Sequence, residues 1–140
     1  MFENKIMRNQ ELIGNWRRCL KDAFDSDAYD CRDTVIDKAL TCGRPRYDVS
    51  YDYAMRMAQC IVRDGKACPV SNPLKRQMWE EICGHVREAM RSRGYTLARA
   101  LAYVLAEKRA SRYFISRKQA SKIIYYEKHN NSNRSRRYAV

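Results

Sequence analysis

Residues 112–128 read RYFISRKQASKIIYYEK, and residues 46–57 read RYDVSYDYAMRM. Both stretches fit the pattern R-Y-x-[V/I]-S-x-x-x-A-x-[R/K]-[M/I], and the second copy follows the first by 66 residues. In each copy the serine is placed to cap the N-terminus of the helix that follows it. The repeated pattern therefore predicts two similar units, one of which carries a strongly basic surface. The alternative is that both stretches converged on a common signal for a turn followed by a helix.

Apolar residues recur around both copies with the 3.6-residue period of amphipathic helices. The stripes predict six helices, at about residues 9–24, 27–41 (or 30–41), 51–64, 73–92, 97–109 and 117–128. We expect Gly43 to cap the second helix. The predicted fold is all-α, with two similar helix–helix–extended–helix halves related by pseudo-twofold symmetry. The two R-Y-x-[V/I]-S pieces could pair as a minor two-stranded ribbon.

Residues 64–73 are punctuated by Gly, Pro, Ser and Asn, which is typical of a linker. We therefore expect a first helical repeat unit at 1–66, a second, basic unit at 73–128 and a disordered basic tail at 129–140. All three belong to one compact domain, because neither half has enough apolar surface to be stable alone. The offset of 66 places Leu12 on Met78, Trp16 on Ile82, Leu20 on Val86, Ala23 on Ala89 and Val35 on Leu101.

The charge of the chain is strongly asymmetric. Residues 1–70 hold 12 Lys/Arg against 11 Asp/Glu, whereas residues 71–140 hold 16 against 5. The second half therefore carries nearly all of the net charge of +12. A basic surface of this kind favours a polyanionic partner, and segregation of the charge is harder to explain by solubility alone. We predict a small nucleic-acid-binding protein that contacts DNA or RNA mainly through phosphates.

The predicted contact residues lie between the fifth helix and the end of the tail. They are cationic side chains that can track a phosphate backbone and release its counterions. The set comprises Lys108, Arg109, Arg112, Arg117, Lys118, Lys122, Arg134, Arg136 and Arg137. Five aromatic residues are interleaved with them and could stack on exposed bases; the alternative is that they belong to the core or its boundary. These are Tyr113, Phe114, Tyr125, Tyr126 and Tyr138.

Metal binding and catalysis have little support in the sequence. Cys60, Cys68, Cys83 and His85 offer ligand types for zinc, but their spacings match no ordinary zinc pattern. No Gly-rich phosphate loop occurs, and the clustered aspartates of residues 25–33 are more simply helix-flanking residues. We expect no enzyme activity, no metal and no cofactor.

The sequence also predicts the cellular compartment of the protein and the kinds of partner it could bind. The polar N-terminus predicts no signal peptide, the six cysteines form no C-x-x-C pair, and no apolar run suits a membrane helix. We therefore expect a reduced, cytoplasmic protein that does not enter membranes. The alternative function is a protein-interaction role, as a scaffold or accessory subunit of a nucleoprotein assembly. Its acidic first half and basic second half would then join head to tail in a homo-oligomer or bind a protein partner.

Overall fold

The computed structural model describes residues 2–126, with side chains from residue 5 onward. Six helices and no strand occur within this range, which confirms the all-α prediction. The helices are α1 (Phe2–Asp25), α2 (Arg32–Cys42), α3 (Tyr51–Ala58), α4 (Pro73–Arg93), α5 (Leu97–Glu107) and α6 (117–126). A π-helical turn, Gln59–Arg63, continues α3. The predicted tail at 129–140 lies outside the described residues.

Short polar side chains fix where four of the helices begin. Ser50 accepts a hydrogen bond from the Tyr53 amide, and Ser116 accepts one from the Gln119 amide, at 3.1 Å. The equivalent serines of the two motif copies therefore play the same capping role, as the pattern predicts. Asn72 and Thr96 cap α4 and α5 in the same way.

The third helix of each half packs on the other half. One core is built on α4 and α5 and includes Ala54, Met57 and Ala58 of α3. The other core is built on α1 and α2 and includes Ala120 and Ile124 of α6. We call them the α4–α5 core and the α1–α2 core. Because each core takes its third helix from the other half, neither half of the chain contains a complete core.

Two extended segments precede α3 and α6, and each passes from one core to the other. We call the place where these two segments meet the crossing. Residues 44–50 and 108–116 are joined by a hydrogen bond from the Ala110 amide to the Pro45 carbonyl oxygen, at 2.7 Å. Tyr47 of the first segment is buried in the α4–α5 core. Its counterpart Tyr113 is buried in the α1–α2 core, and its amide donates to the Leu40 carbonyl oxygen at 2.9 Å. The ribbon suggested by the sequence is wrong for the described residues: neither segment forms a strand, and the bond between Ala110 and Pro45 is the one backbone hydrogen bond that joins them there.

Glu81 of α4 holds both segments at the crossing. Its Oε1 accepts from the Tyr47 hydroxyl and from the Ser111 amide, each at 2.8 Å, and its Oε2 accepts from the Ser111 hydroxyl at 2.7 Å. Burial, and then the hydrogen bond to this carboxylate, raise the pKa of Tyr47 far above its usual range. One carboxylate therefore ties the extended segments of the two halves to a single helix.

A buried ion pair attaches the first segment to α1. Arg8 Nη1 lies 2.6 Å from Asp48 Oδ2, and the Arg8 side chain is only 8% exposed. The Asn9 side chain accepts two further hydrogen bonds from the same guanidinium. The apolar stripe of the first helix begins at Leu12, so the sequence predicts a helix start at about Asn9 and does not predict the burial of Arg8. The helix extends to Phe2 although Ile6 and Met7 remain exposed.

The backbone corrects the predicted start of α2 and the expected conformation of Gly43. The predicted start at Asp27 or Asp30 is too early: Asp27 has a left-handed φ of 56°, and the helix begins at Arg32. Gly43 stands at the C-cap of α2, as expected, but its backbone is extended (φ −87°, ψ 153°) and not left-handed. Any Cβ at Gly43 would collide with the Asn15 amide and the Tyr113 ring. The glycine is required by the close approach of Asn15 of α1 and Tyr113 of the second segment.

The burial pattern refines the alignment of the two halves. At an offset of 66, Leu12 and Met78 are both buried, as are Ala54 and Ala120. The helices α2 and α5 have 11 residues each but align at an offset of 65, which pairs Ile36 with Leu101. The predicted pairing of Val35 with Leu101 is therefore shifted by one residue. The extra residue lies in the second extended segment.

Replacement of Glu81 by Ala should destabilise the protein by about 2–3 kcal/mol, because a charged acceptor of three hydrogen bonds is lost. Chemical denaturation followed by circular dichroism measures the effect. The neighbouring Glu80 is exposed and provides a matched control, since Glu80→Ala should change the free energy of unfolding by less than about 0.5 kcal/mol. Equal effects of the two substitutions would show that the crossing does not depend on Glu81.

Candidate nucleic-acid interface

The described part of the predicted cationic set follows one continuous run of chain, from the end of α5 to α6. Arg109, Arg117, Lys118 and Lys122 are exposed, whereas Lys108 and Arg112 are half-buried. Arg134, Arg136 and Arg137 lie outside the described residues. The run leaves the α4–α5 core and ends on the α1–α2 core. The exchange of the third helices therefore divides the basic half of the chain between the two cores.

The helix α6 presents two lysines to solvent. Ala120 and Ile124 are buried against α1 and α2, and Lys118 and Lys122 are exposed. No Asp or Glu among the described side chains forms an ion pair with either lysine. Their ammonium groups are therefore available to an external anion.

Arg117, in contrast, is engaged within the chain. Its Nε donates to Asp37 Oδ1 at 2.7 Å, a second nitrogen donates to the other Asp37 oxygen, and Nη1 lies 3.9 Å from Asp33. The hydrogen bond from Arg117 lowers the pKa of Asp37, and the charges of Arg117 and Arg112 act in the same direction. All these groups are about half exposed, so the pair contributes little to stability. Its main consequence is partial neutralisation of the predicted interface.

The aromatic residues of the motif divide into core and surface. Tyr113 and Phe114 are 2% and 6% exposed, so the core alternative holds for both, and neither can stack on a base in the folded protein. Burial, with a smaller contribution from the charge of Glu11, raises the pKa of Tyr113 to about 12. Tyr125 and Tyr126 are 55% and 70% exposed. Tyr138 lies outside the described residues.

A group of cations and tyrosines at the α4–α5 turn was missed by the sequence analysis. The Arg99 guanidinium lies 4.5 Å from the centre of the Tyr95 ring, and Arg93 lies 4.6 Å from that of Tyr103. The two rings meet edge to face at 5.9 Å, and Lys108 Nζ lies 5.8 Å from the Tyr103 ring. The four-residue spacing of Tyr95, Arg99 and Tyr103 is the signal that could have found it. Of the predicted residues, Lys108 belongs to this group.

The four candidate zinc ligands, Cys60, Cys68, Cys83 and His85, do not form a metal site. Cys83 is fully buried in the α4–α5 core, and burial raises the pKa of its thiol to about 11, which opposes the thiolate that zinc requires. Among the side chains of residues 5–126 no three of His, Cys, Asp or Glu are close enough to hold a metal ion. Cys83 is therefore a packing residue of the core.

No known protein family, curated protein or solved structure matches the chain. The described helices also include none with the length and apolarity needed to cross a membrane. The function of the protein is therefore inferred from its surface.

Replacement of Asp37 by Asn should strengthen binding to a nucleic acid about threefold, because it removes a negative charge and releases the Arg117 guanidinium. Fluorescence anisotropy with a labelled oligonucleotide at low salt measures the change. Asp52 of α3 is also exposed and lies on the α4–α5 core, so Asp52→Asn is a control with the same charge change. Equal gains in both variants would mean that net charge alone acts and that Arg117 has no local role.

Proposed function

We propose that this protein binds nucleic acid, DNA or RNA, mainly through phosphates, with the run from Lys108 to Lys122 as its contact surface. The observation that supports the proposal most strongly is the pair of exposed lysines on α6, Lys118 and Lys122, which have no carboxylate partner among the described side chains. Arg109 is likewise exposed and makes no ion pair with a described side chain. Each such cation can neutralise one phosphate and release a condensed counterion.

The surface around these cations suits contact with a backbone more than readout of bases. Tyr113 and Phe114 are buried and cannot leave the cores without unfolding them. The exposed Tyr126 at the end of α6 and the cation–tyrosine group at Tyr95 and Tyr103 remain as aromatic contacts. Phosphate contacts fix position and carry no direct sequence information. We therefore expect affinity that depends strongly on salt and weakly on sequence.

A groove between α1 and α6 favours the second candidate function, binding of a protein. Its apolar floor includes Ile6, Ile13, Ile123 and Tyr126, and Lys5 and Lys122 line it as well. Ile6 is 41% exposed, which is unusual for isoleucine in a folded domain. The head-to-tail homo-oligomer based on charge has weaker support. The contact of Arg117 with Asp33 and Asp37 already pairs acids of the first half with a base of the second inside one chain.

The double variant Lys118→Ala/Lys122→Ala should weaken nucleic-acid binding about tenfold at low salt. It should also reduce the slope of log K against log salt by about 1.8, since two phosphate contacts are lost. The measurement is fluorescence anisotropy over a salt series, with circular dichroism to confirm the fold.

Lys21→Ala/Lys66→Ala is the matched control, because both lysines are exposed in the first half and the loss of net charge is the same. If the two double variants lose the same affinity and slope, α6 is not the contact surface. If neither changes binding, the interaction does not use this run of cations.

A further inference from the structure

A crevice lies at the crossing of the two extended segments, and of the cations in the proposed contact run it shares only Arg112. Its lining includes Arg46 of the first segment, Arg112 of the second and Lys75 of α4, together with the buried Arg8. Arg46 and Arg112 occupy the same position in the two copies of the repeated motif. The exchanged arrangement therefore brings an arginine from each half to one place.

The crevice has an excess of positive charge. Asp48 is the only carboxylate among its lining residues, and Arg8 already pairs with it at 2.6 Å. Arg46, Lys75 and Arg112 make no ion pair with a described carboxylate. Glu11 lines the adjoining hollow next to Arg46 without an ion pair to it. Three cationic side chains thus surround one opening without an ion pair to a described carboxylate, although the charge of Asp48 acts on Lys75 and that of Arg112 acts on Asp37.

Of the three cations, Lys75 indicates an anion-binding site most clearly. It is half-buried, and burial together with the charges of Arg8 and Lys5 lowers the pKa of its ammonium group, while Asp48 acts in the opposite direction. A partly desolvated cation beside other cations is unfavourable unless an anion is bound. Arg112 is also held in place, because its Nε donates to the Tyr113 carbonyl oxygen at 3.0 Å and its terminal nitrogens remain free to donate.

We propose that this crevice binds a phosphate group, with Lys75, Arg46 and Arg112 as its ligands. Two guanidinium groups and an ammonium group supply the multiple charged donors that a phosphate accepts. The group can belong to a nucleic-acid backbone or to a small phosphorylated molecule, and the chemistry of recognition is the same for both. Arg112 also belongs to the proposed contact run, whereas Lys75 and Arg46 lie outside it, and the site uses neither of the two α6 lysines.

The test uses the full chain and pyrophosphate as the probe, with isothermal titration calorimetry at low ionic strength. Lys75→Met should weaken pyrophosphate binding about tenfold or more, because a charge-assisted contact is lost. Without pyrophosphate this variant should be no less stable than the natural chain. Lys66→Met, a change at an exposed lysine of the linker, should leave the affinity unchanged.

Arg46→Gln provides a second variant that does not disturb the buried residues, since Arg46 is exposed. Its affinity for pyrophosphate should also fall. The proposal is overturned if the natural chain does not bind pyrophosphate, or if Lys75→Met and Arg46→Gln bind it as tightly as the natural chain does.

Two further arms identify the source of the phosphate and separate this site from the α6 surface. Displacement of pyrophosphate by an oligonucleotide supports a backbone phosphate in the crevice, and retention of pyrophosphate supports a small phosphorylated ligand. Lys118→Ala/Lys122→Ala should bind pyrophosphate normally. Pyrophosphate binding in a protein that binds no oligonucleotide would refute the proposed function and leave the crevice site intact.

Discussion

The hydrogen bonds that Glu81 accepts from Tyr47 and Ser111 hold the two extended segments together where they pass from one core to the other, and the placement of the helices that follow depends on that crossing. A segment that crosses must deliver its following helix to the far side. As a result α3 completes the core of α4 and α5, and α6 completes the core of α1 and α2. The two halves are interlocked, so the stability of each core depends on both halves of the chain.

The crossing also decides where the charge is placed. In the sequence the basic residues form one half, but in the folded protein α6 lies on the core formed by the first half. There Arg117 meets Asp33 and Asp37, while Lys118 and Lys122 remain exposed. The remaining described cations of the second half lie on α4, on α5 and on the second extended segment. The protein therefore presents separate cationic surfaces, and a long polyanion could contact more than one of them.

Much of the local structure could be predicted because it depends on residues close in sequence. Ser50, Asn72, Thr96 and Ser116 cap helices where polar side chains precede apolar stripes, and Ala54 and Ala120 are buried at equivalent motif positions. Periodicity identifies the apolar face of a helix but not the helix that it contacts. The exchange of α3 and α6 therefore could not be predicted from the sequence.

Long-range contacts explain the features of the structure that could not be predicted from the sequence. The burial of Arg8 and the pairing of Arg117 with Asp37 join residues 40 and 80 positions apart. The need for glycine at residue 43 arises from Asn15 and Tyr113, which approach it from other elements. The cation–tyrosine group at Tyr95 and Tyr103, in contrast, has a four-residue spacing that a search for ring and cation pairs would detect.

Nucleic-acid binding is tested most directly by the affinity of the natural chain for single-stranded DNA, duplex DNA and structured RNA, each measured by fluorescence anisotropy over a salt series. We expect binding to at least one of the three, with log K falling linearly and steeply as log salt rises. Absence of binding to all three at low salt would contradict this expectation. The groove between α1 and α6 would then be the leading candidate for the function of the protein.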